Sequence, residues 1–244
     1  MGHIGSALSI VDILIALYGN ILRTTTGGDC DRDRFVLSKG HAALALYATL
    51  HWKGLISDEQ LNTFGCDGTL LGVHPEHAVS GIDFCSGSLG HGLSIGAGSA
   101  LAARLQASDR RVFVLMSDAE CNEGSVWEAI MFAAHHGLGN LIAIVDDNGQ
   151  QALGYTVDVL GTAPLEKRWE AFGWEVSVVD GHDISALTHC LSKPSSSSSR
   201  PQVVIAKTVF GKGVSYMERA VKWHYWPMSD SDFAQAMQEI GVLD

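Results

Sequence analysis

The sequence predicts an α/β protein in which a doubly wound, mostly parallel sheet carries helices on both faces. Short apolar runs such as VFVLM and LIAIV alternate with helix-like segments in the second half of the chain. Continuous apolar runs are typical of parallel strands, which are buried on both faces. The chain has 244 residues, 46% of them hydrophobic, which suits one sizeable domain with its own core. We therefore expect a single domain over residues 1–244.

Helical spacing and cap residues predict the elements of the first half. Apolar residues recur at helical spacing over 9–22, and a short extended piece precedes a helix that opens near His41. Ser57 is a candidate N-cap for a helix over SDEQLNTF. A loop-like region rich in Gly and His (65–92) leads into a helix at SIGAGSALAARLQ, whose small residues suit close packing.

Strands and helices then alternate. The predicted strands cover 111–116, 141–146, 174–179 and 203–207, and the predicted helices cover 124–136, 165–172 and 184–191. The tract KPSSSSSRP (193–201) is predicted to be a flexible surface loop. It is not a domain boundary, because too little chain follows it to form a second core.

Composition excludes several classes of function. The formal net charge of -11 argues against nucleic acid or anionic lipid as a partner. We expect no membrane span and no signal peptide, because no apolar run is long and continuous enough and Met1 is followed at once by Gly-His. The five cysteines are scattered without a CxxC pair, which predicts free thiols in a reducing cytoplasm.

An acid and an amide follow two neighbouring predicted strands. Asp118 comes directly after VFVLMS, and Asn148 follows LIAIVDD. A single helix joins these strands, so their carboxyl ends should meet at one edge of the sheet. Two hard oxygen ligands suit Mg²⁺ or Ca²⁺, and the remaining charge of the ion could hold a diphosphate. The N-terminus of the helix at Gly124 would also favour anions there.

The spacing alone leaves an alternative open. Asp118 could simply cap the following helix, and Asn148 could make a turn.

Seven motifs lie along the chain. Before SDAECNEG come GHIGSALSIVDILIALY, DRDRFVLSKGHAALALY, GVHPE and SGSLGHGLSIGAG, and after it come VDGHD and KTVFGKGVSYME. SDAECNEG, followed by a helix and a strand ending in Asn, resembles the thiamine diphosphate motif of transketolases. The order of all seven motifs is similar to that family, and it is closest to the small N-terminal subunit of split, two-chain members. The resemblance covers nearly the whole chain and implies the diphosphate-binding (PP-type) domain of the thiamine diphosphate fold.

The resemblance implies a set of site residues. The Mg²⁺ ligands would be Asp118, Asn148 and the backbone carbonyl of Gln150, with Ca²⁺ or Mn²⁺ as possible substitutes. Residues that would contact the cofactor are His41, Gly87, Ser88, Leu89, Asp118, Ala119, Asn148 and His224, with Glu123 near it at a subunit interface. Residues that would handle substrate hydroxyls and protons are His3, His74 and His224.

Two features depart from the family pattern. Ala119 stands where the family has the second glycine of Gly-Asp-Gly, and a turn that needs positive φ would cost about 1–2 kcal/mol there. Family members also carry a helix before GHIG. The resemblance therefore implies either a start further upstream or a shortened end.

The pyrimidine-binding half of the family has no counterpart in the sequence. We therefore expect a partner chain, the C-terminal transketolase subunit, in an α2β2 assembly. The reaction implied is transfer of a two-carbon ketol unit from a ketose, or ketose phosphate, to an aldose. Two alternatives stay open: a condensation like that of deoxyxylulose-phosphate synthase, and a degenerate subunit that has lost its cofactor.

Overall fold

A central sheet of five parallel strands organises the chain. The computed structural model describes residues 3–23, 31–192 and 199–241. The strands are β1 (Arg34–Leu37), β2 (Val112–Ser117), β3 (Leu141–Asp147), β4 (Gln150–Gln151), β5 (Gly154–Tyr155), β6 (Glu175–Asp180) and β7 (Gln202–Lys207). The sheet order is β1-β2-β3-β7-β6, and β4 and β5 form a separate antiparallel hairpin. The predicted fold class is confirmed.

Ten α-helices surround the sheet in the described part of the chain. They are α1 (Ile4–Leu8), α2 (Val11–Ala16), α3 (Ala43–Trp52), α4 (Asp58–Leu61), α5 (Gly92–Leu105), α6 (Gly124–His135), α7 (Thr156–Leu160), α8 (Leu165–Ala171), α9 (Ile184–Leu191) and α10 (Asp230–Glu239). Helix α4 begins at the N-cap predicted at Ser57, and the structure adds a capping box in which Gln60 is the partner.

Each face of the sheet has its own hydrophobic core because side chains alternate along the strands. Phe113 and Leu115 of β2 pack on one face against helices α1, α2, α3 and α9. Val114 and Met116 pack on the other face against α5, α6 and α8. Gly96 of α5 brings its backbone so close to β2 that an added Cβ would lie 2.4 Å from Val114. The small residues of α5 therefore permit the close packing expected from the sequence.

Three expectations about the fold need correction or completion. The first helical segment begins at Ile4, not at residue 9, and continues through a π-helical turn at Leu17–Ile21. Ile4–Ile21 is long and apolar enough to cross a membrane, contrary to the expectation from the sequence, but most of it is buried in this fold.

The elements β4, β5, α7 and α10 were not predicted. Residues 193–198 of the predicted serine-rich loop lie outside the described residues.

Candidate active site

Polar side chains collect at the carboxyl edge of the sheet. Strand β1 ends at Leu37 and leads into Ser38-Lys39-Gly40-His41, β2 leads into Asp118, and β3 leads into Asn148. Ligands bind at this edge in parallel α/β sheets. The edge is therefore where the predicted site residues are expected to meet.

Asp118 has an oxygen that no neighbour satisfies. The residue is only 2% exposed. Its Oδ2 accepts a hydrogen bond from the Thr156 hydroxyl at 2.8 Å, whereas its buried Oδ1 has no partner within the described chain. Burial raises the pKa of this carboxyl to about 7 against the lowering effect of Thr156, and the charges of Asp147 and Asp146 add to the rise. A cation at Oδ1 would satisfy the acceptor and favour the ionised carboxylate.

Asn148 lies in a tight turn beside Asp118. Its Oδ1 accepts the N–H of Gln150 at 2.9 Å, and an amide oxygen keeps a second lone pair for another partner. The N–H of Thr156 donates to the carbonyl of Gly149 at 2.9 Å, so Thr156 contacts both this turn and the Asp118 carboxylate. A pocket of about 300 Å³ opens at this point, with Asp118, Gly149 and Thr156 in its wall. Thr156 thus connects Asp118 to the turn that carries the other two predicted metal ligands, Asn148 and Gln150.

The alternative explanation of these two residues is half right. Asn148 does make a turn. The side chain of Asp118 makes no cap hydrogen bond to the 3₁₀ helix that follows it (Ala119–Asn122). Capping therefore does not account for the buried carboxylate.

Sequence reasoning missed a buried ion pair beside this pocket. Lys39 and Asp146 are both fully buried and form a short salt bridge. Asp146 also accepts hydrogen bonds from Ser9 at 2.7 Å, from Asn148 at 2.9 Å and from Thr208. The pair thereby fixes the amide orientation of Asn148. The sequence signals were the lysine beside His41 and the doubled acid in VDDNG.

Three predicted histidines form a cluster that is connected to Lys39 through Ser6, whose carbonyl accepts a hydrogen bond from Lys39 and whose hydroxyl contacts His41. In this histidine cluster (His3, His41 and His224) the ring centroids are 4.9 Å apart for His3–His41, 5.4 Å for His3–His224 and 6.2 Å for His41–His224. His41 Nε2 shares a hydrogen bond of 2.9 Å with the hydroxyl of Ser6. Phe210 stacks on His224 with ring centroids 5.6 Å apart.

The histidine cluster is uncharged near neutral pH. Burial is the main cause, and it lowers the pKa of His41 to about 2 and that of His224 to about 4. The pKa of His3 is lowered by burial, by His74 and by Lys39. Each neutral ring offers one N–H group that can donate a hydrogen bond and one nitrogen lone pair that can accept a hydrogen bond or a proton.

The remaining predicted residues surround these two groups. The ring of His74 lies over Gly87, where an added Cβ would be 3.5 Å from it. Ser88, Leu89 and Glu123 are exposed. Ala119 opens the 3₁₀ helix, and the only non-glycine residues with positive φ in the described ranges are Ala107 and Arg219. The strain considered for alanine at position 119 is therefore absent.

Glu120 is a second residue that sequence reasoning missed. It is fully buried and accepts hydrogen bonds from the Ser38 hydroxyl and from the N–H groups of Gly90 and Ser117, both at 2.9 Å. One carboxylate thus connects the segments that carry His41, Leu89 and Asp118. Its spacing of three residues from Ser117 was the only local signal.

Comparison with known proteins identifies relatives over the whole chain. The family model described as "Transketolase, thiamine diphosphate binding domain" matches residues 1–244. The chain is 41% identical over 241 residues to one subunit of the apulose-4-phosphate transketolase of Phocaeicola vulgatus, covering 98% of this chain and 86% of that protein. It is 37% identical over 243 residues to the 6-deoxy-6-sulfo-D-fructose transketolase subunit SqwG of a Clostridium species, covering 98% and 88%.

Solved structures agree with this result. The transketolase of Campylobacter jejuni superposes with a TM-score of 0.91 at 31% identity, over 98% of this chain and 39% of that one. The transketolase of Leishmania mexicana gives a TM-score of 0.91 at 28% identity, over 98% and 38%. The chain therefore spans about two fifths of the length of these single-chain enzymes.

Proposed function

The chain belongs to the family of transketolase thiamine diphosphate-binding domains and corresponds to the N-terminal subunit of a two-chain transketolase, and from this premise we propose that it binds thiamine diphosphate through Mg²⁺. With a second chain it transfers a two-carbon ketol unit from a ketose to an aldose acceptor. The observation that carries the proposal is the buried, unpaired Oδ1 of Asp118 at the carboxyl edge of the sheet.

The donor set beside Asp118 suits a hard divalent cation. Asp118, the side chain of Asn148 and the backbone carbonyl of Gln150 would supply three oxygen ligands that carry one negative charge. Mg²⁺ prefers oxygen ligands and keeps open positions for phosphate oxygens, while Ca²⁺ and Mn²⁺ are possible substitutes. The positive charge left on the ion would hold the diphosphate in the pocket.

The cofactor would lie between the pocket and the histidine cluster. When bound, thiamine diphosphate supplies the chemistry for breaking and forming the carbon–carbon bond. Contacts with it are proposed for His41, Gly87, Ser88, Leu89, Ala119, Glu123 and His224. Because His41 is neutral, its contribution is a hydrogen bond rather than a charge.

Histidines are proposed to exchange protons with the substrate hydroxyl groups. Ketol transfer requires hydroxyl groups to lose and regain protons near neutral pH, and a neutral imidazole is able to take up a proton. We assign this role to His3, His74 and His224. The short distance between His3 and His224 would let both act on one substrate.

The substrate class is a sugar or a sugar phosphate. The names of two relatives specify apulose 4-phosphate and 6-deoxy-6-sulfo-D-fructose, both of which carry an acidic group. We propose a ketose donor of this type. A role in a specialised sugar pathway is as consistent with these relatives as one in central pentose metabolism.

A partner chain is part of the proposal. Both the apulose-4-phosphate and the sulfofructose relatives are named as single subunits of a transketolase, which implies a second chain in each enzyme. The chain also spans about two fifths of the single-chain transketolases. We propose that the partner carries the pyrimidine-binding domain, in an α2β2 assembly located in the cytoplasm.

Activity measurements test the proposal. The chain alone, given thiamine diphosphate, Mg²⁺ and a ketose phosphate, is expected to show no turnover, and addition of the C-terminal subunit should produce it. Robust turnover by the pure single chain would contradict the split assembly. Decarboxylation of pyruvate in preference to ketose cleavage would favour the alternative like deoxyxylulose-phosphate synthase.

Calorimetry tests cofactor binding separately. Titration of the two-chain complex with thiamine diphosphate should release heat only when Mg²⁺ is present. If millimolar cofactor gives no heat, the chain is the degenerate subunit.

A further inference from the structure

Three exposed side chains of different chemistry converge at one point that the proposed reaction does not use. They are Glu76, His77 and Cys85. The Nδ1 of His77 lies 3.1 Å from the Sγ of Cys85, and that Sγ lies 3.3 Å from Oε2 of Glu76. One donor atom from each residue lies within 4.8 Å of the other two. A thiol, an imidazole and a carboxylate thus face a common centre.

We propose that Glu76, His77 and Cys85 form a binding site for Zn²⁺ or a similar divalent transition metal. Thiolate sulfur, imidazole nitrogen and carboxylate oxygen are ligands that Zn²⁺ takes together, and Mg²⁺ does not take sulfur. Zinc–ligand bonds of about 2.0–2.3 Å imply ligand–ligand distances of about 3.3–3.6 Å in a tetrahedral site. The contacts to Cys85 lie within a few tenths of an ångström of those values. The Glu76 and His77 donor atoms lie within 4.8 Å of each other, so a metal would bind once they close to the same spacing.

The backbone around the site holds the three ligands in place. Cys85 lies in one loop segment, and Glu76 and His77 lie in another. The N–H of Ser86 donates to the carbonyl of Pro75 at 3.4 Å, and the N–H of His77 points to Cys85 Sγ at 3.4 Å. The Tyr47 hydroxyl, which belongs to helix α3, donates to the carbonyl of His74 at 2.8 Å. The two segments are thus joined to each other and to the core before any metal binds.

The site shares its two segments with the candidate active site. His74 comes two residues before Glu76, and Gly87, which lies under the His74 ring, comes two residues after Cys85. A metal would therefore cross-link the segments that carry these two residues. Because all three ligands are exposed, the fourth coordination position faces solvent and takes water. This site is separate from the Mg²⁺ site proposed at Asp118.

Cobalt(II) provides a spectroscopic test with the full-length chain. The chain is treated with a chelator, kept reduced with a non-thiol reductant, and titrated with Co²⁺ in excess Mg²⁺ and without thiamine diphosphate. We expect a thiolate-to-cobalt absorption band in the near ultraviolet that one equivalent of Zn²⁺ removes. Cys85→Ser should abolish the band. Glu76→Gln and His77→Gln should weaken Zn²⁺ binding by more than about ten-fold, because even residues that only support a ligand contribute 10–100-fold.

Cys66 supplies the matched control, since it is also an exposed free cysteine. Cys66→Ser should keep the band unchanged, and circular dichroism verifies that every variant is folded. The proposal is overturned if the wild-type chain gives no band, if Cys85→Ser retains it, or if Cys66→Ser loses it. Since no thiamine diphosphate is present, the result does not depend on the proposed transketolase function.

Discussion

Two buried aspartates lie at the ends of neighbouring strands but have different partners. Asp118 directly follows β2, and Asp146 is the second-last residue of β3. Asp146 is bound by Lys39, Ser9, Asn148 and Thr208. In Asp118, Oδ2 accepts a hydrogen bond from the Thr156 hydroxyl, and Oδ1 has no partner in the described chain. The two residues are adjacent, since the N–H of Asp118 donates to the carbonyl of Asp146 at 3.1 Å. Both residues are buried aspartates, and they differ in whether each carboxylate oxygen has a hydrogen-bond or charge partner.

This difference indicates that Asp146 stabilises the fold, whereas Asp118 is suited to binding a ligand. A buried carboxylate that is fully hydrogen-bonded and paired with a cation stabilises the fold it belongs to. A buried carboxylate with an empty acceptor destabilises the protein until a ligand arrives. The same substitution at the two positions should therefore have opposite effects on the free energy of unfolding.

The largest effect is expected for Asp146→Asn. The substitution leaves the fully buried Lys39 without its counter-charge and presents an amide N–H₂ to several donors. Loss of one partner of a buried ion pair costs about 3–5 kcal/mol. Urea unfolding of the chain should show this as a lower midpoint with an unchanged slope.

Asp147→Asn is the matched control for this change. Its ion pair with Lys207 is at the surface, with the lysine side chain 55% exposed, and such pairs contribute at most about 1 kcal/mol. Equal losses in the two variants would show that the network around Asp146 is not special.

Asp118→Asn should raise the stability of the metal-free protein in a pH-dependent way. The pKa of this carboxyl rises from 3.8 in the unfolded chain to about 7 in the fold. Its favourable contribution is therefore complete below pH 4 and is lost as the pH rises to about 7. Relative to wild type, the variant should be equally stable near pH 4 and more stable by about 2–4 kcal/mol at pH 7. The free energy of unfolding of both proteins is measured against pH with a chelator present. If the two curves run parallel, burial of the Asp118 carboxylate does not destabilise the protein.

The same variant should lose the cofactor. An amide at position 118 leaves the proposed Mg²⁺ without a charged protein ligand. We expect the affinity of the two-chain complex for thiamine diphosphate with Mg²⁺ to fall by more than about 100-fold, which corresponds to about 2.7 kcal/mol. Calorimetry gives this value directly. Thr156→Val, which removes only the hydrogen bond to Asp118, should have a much smaller effect, and similar losses would indicate a general collapse of the pocket.

The fold was largely predictable because its main elements are long and strongly patterned. The apolar runs of β2 and β3, separated by a helical segment, identify a parallel sheet with the correct strand bounds to within one or two residues. The hairpin of β4 and β5 has only two residues in each strand, and α7 has five. Such short elements show no periodicity, so their form depends on the tertiary contacts around them.

For the candidate site, the sequence offered residues that belong to local motifs and missed residues whose contacts are long-range. Asp118, Asn148 and the histidine cluster each belong to a recognisable motif. Lys39 acquires its role from Asp146, 107 residues away, and Glu120 from Ser38, 82 residues away. No local sequence pattern indicates that these charged residues become fully buried. Their burial depends on contacts that form only when the strands assemble into the sheet.

The smallest effect is expected for Ala119→Gly, which restores the glycine of the family motif. Ala119 opens a 3₁₀ helix and is not strained, so glycine removes no strain and adds chain entropy to the unfolded state. The substitution should lower stability by about 0.5–1 kcal/mol and leave cofactor affinity within about two-fold. Gly149→Ala is the informative control, because Gly149 has a φ of +73° and alanine there should cost about 1–2 kcal/mol. A ten-fold gain in affinity for Ala119→Gly would mean that the cofactor-bound turn adopts a backbone conformation different from the one described, and that Asp118 moves when it binds.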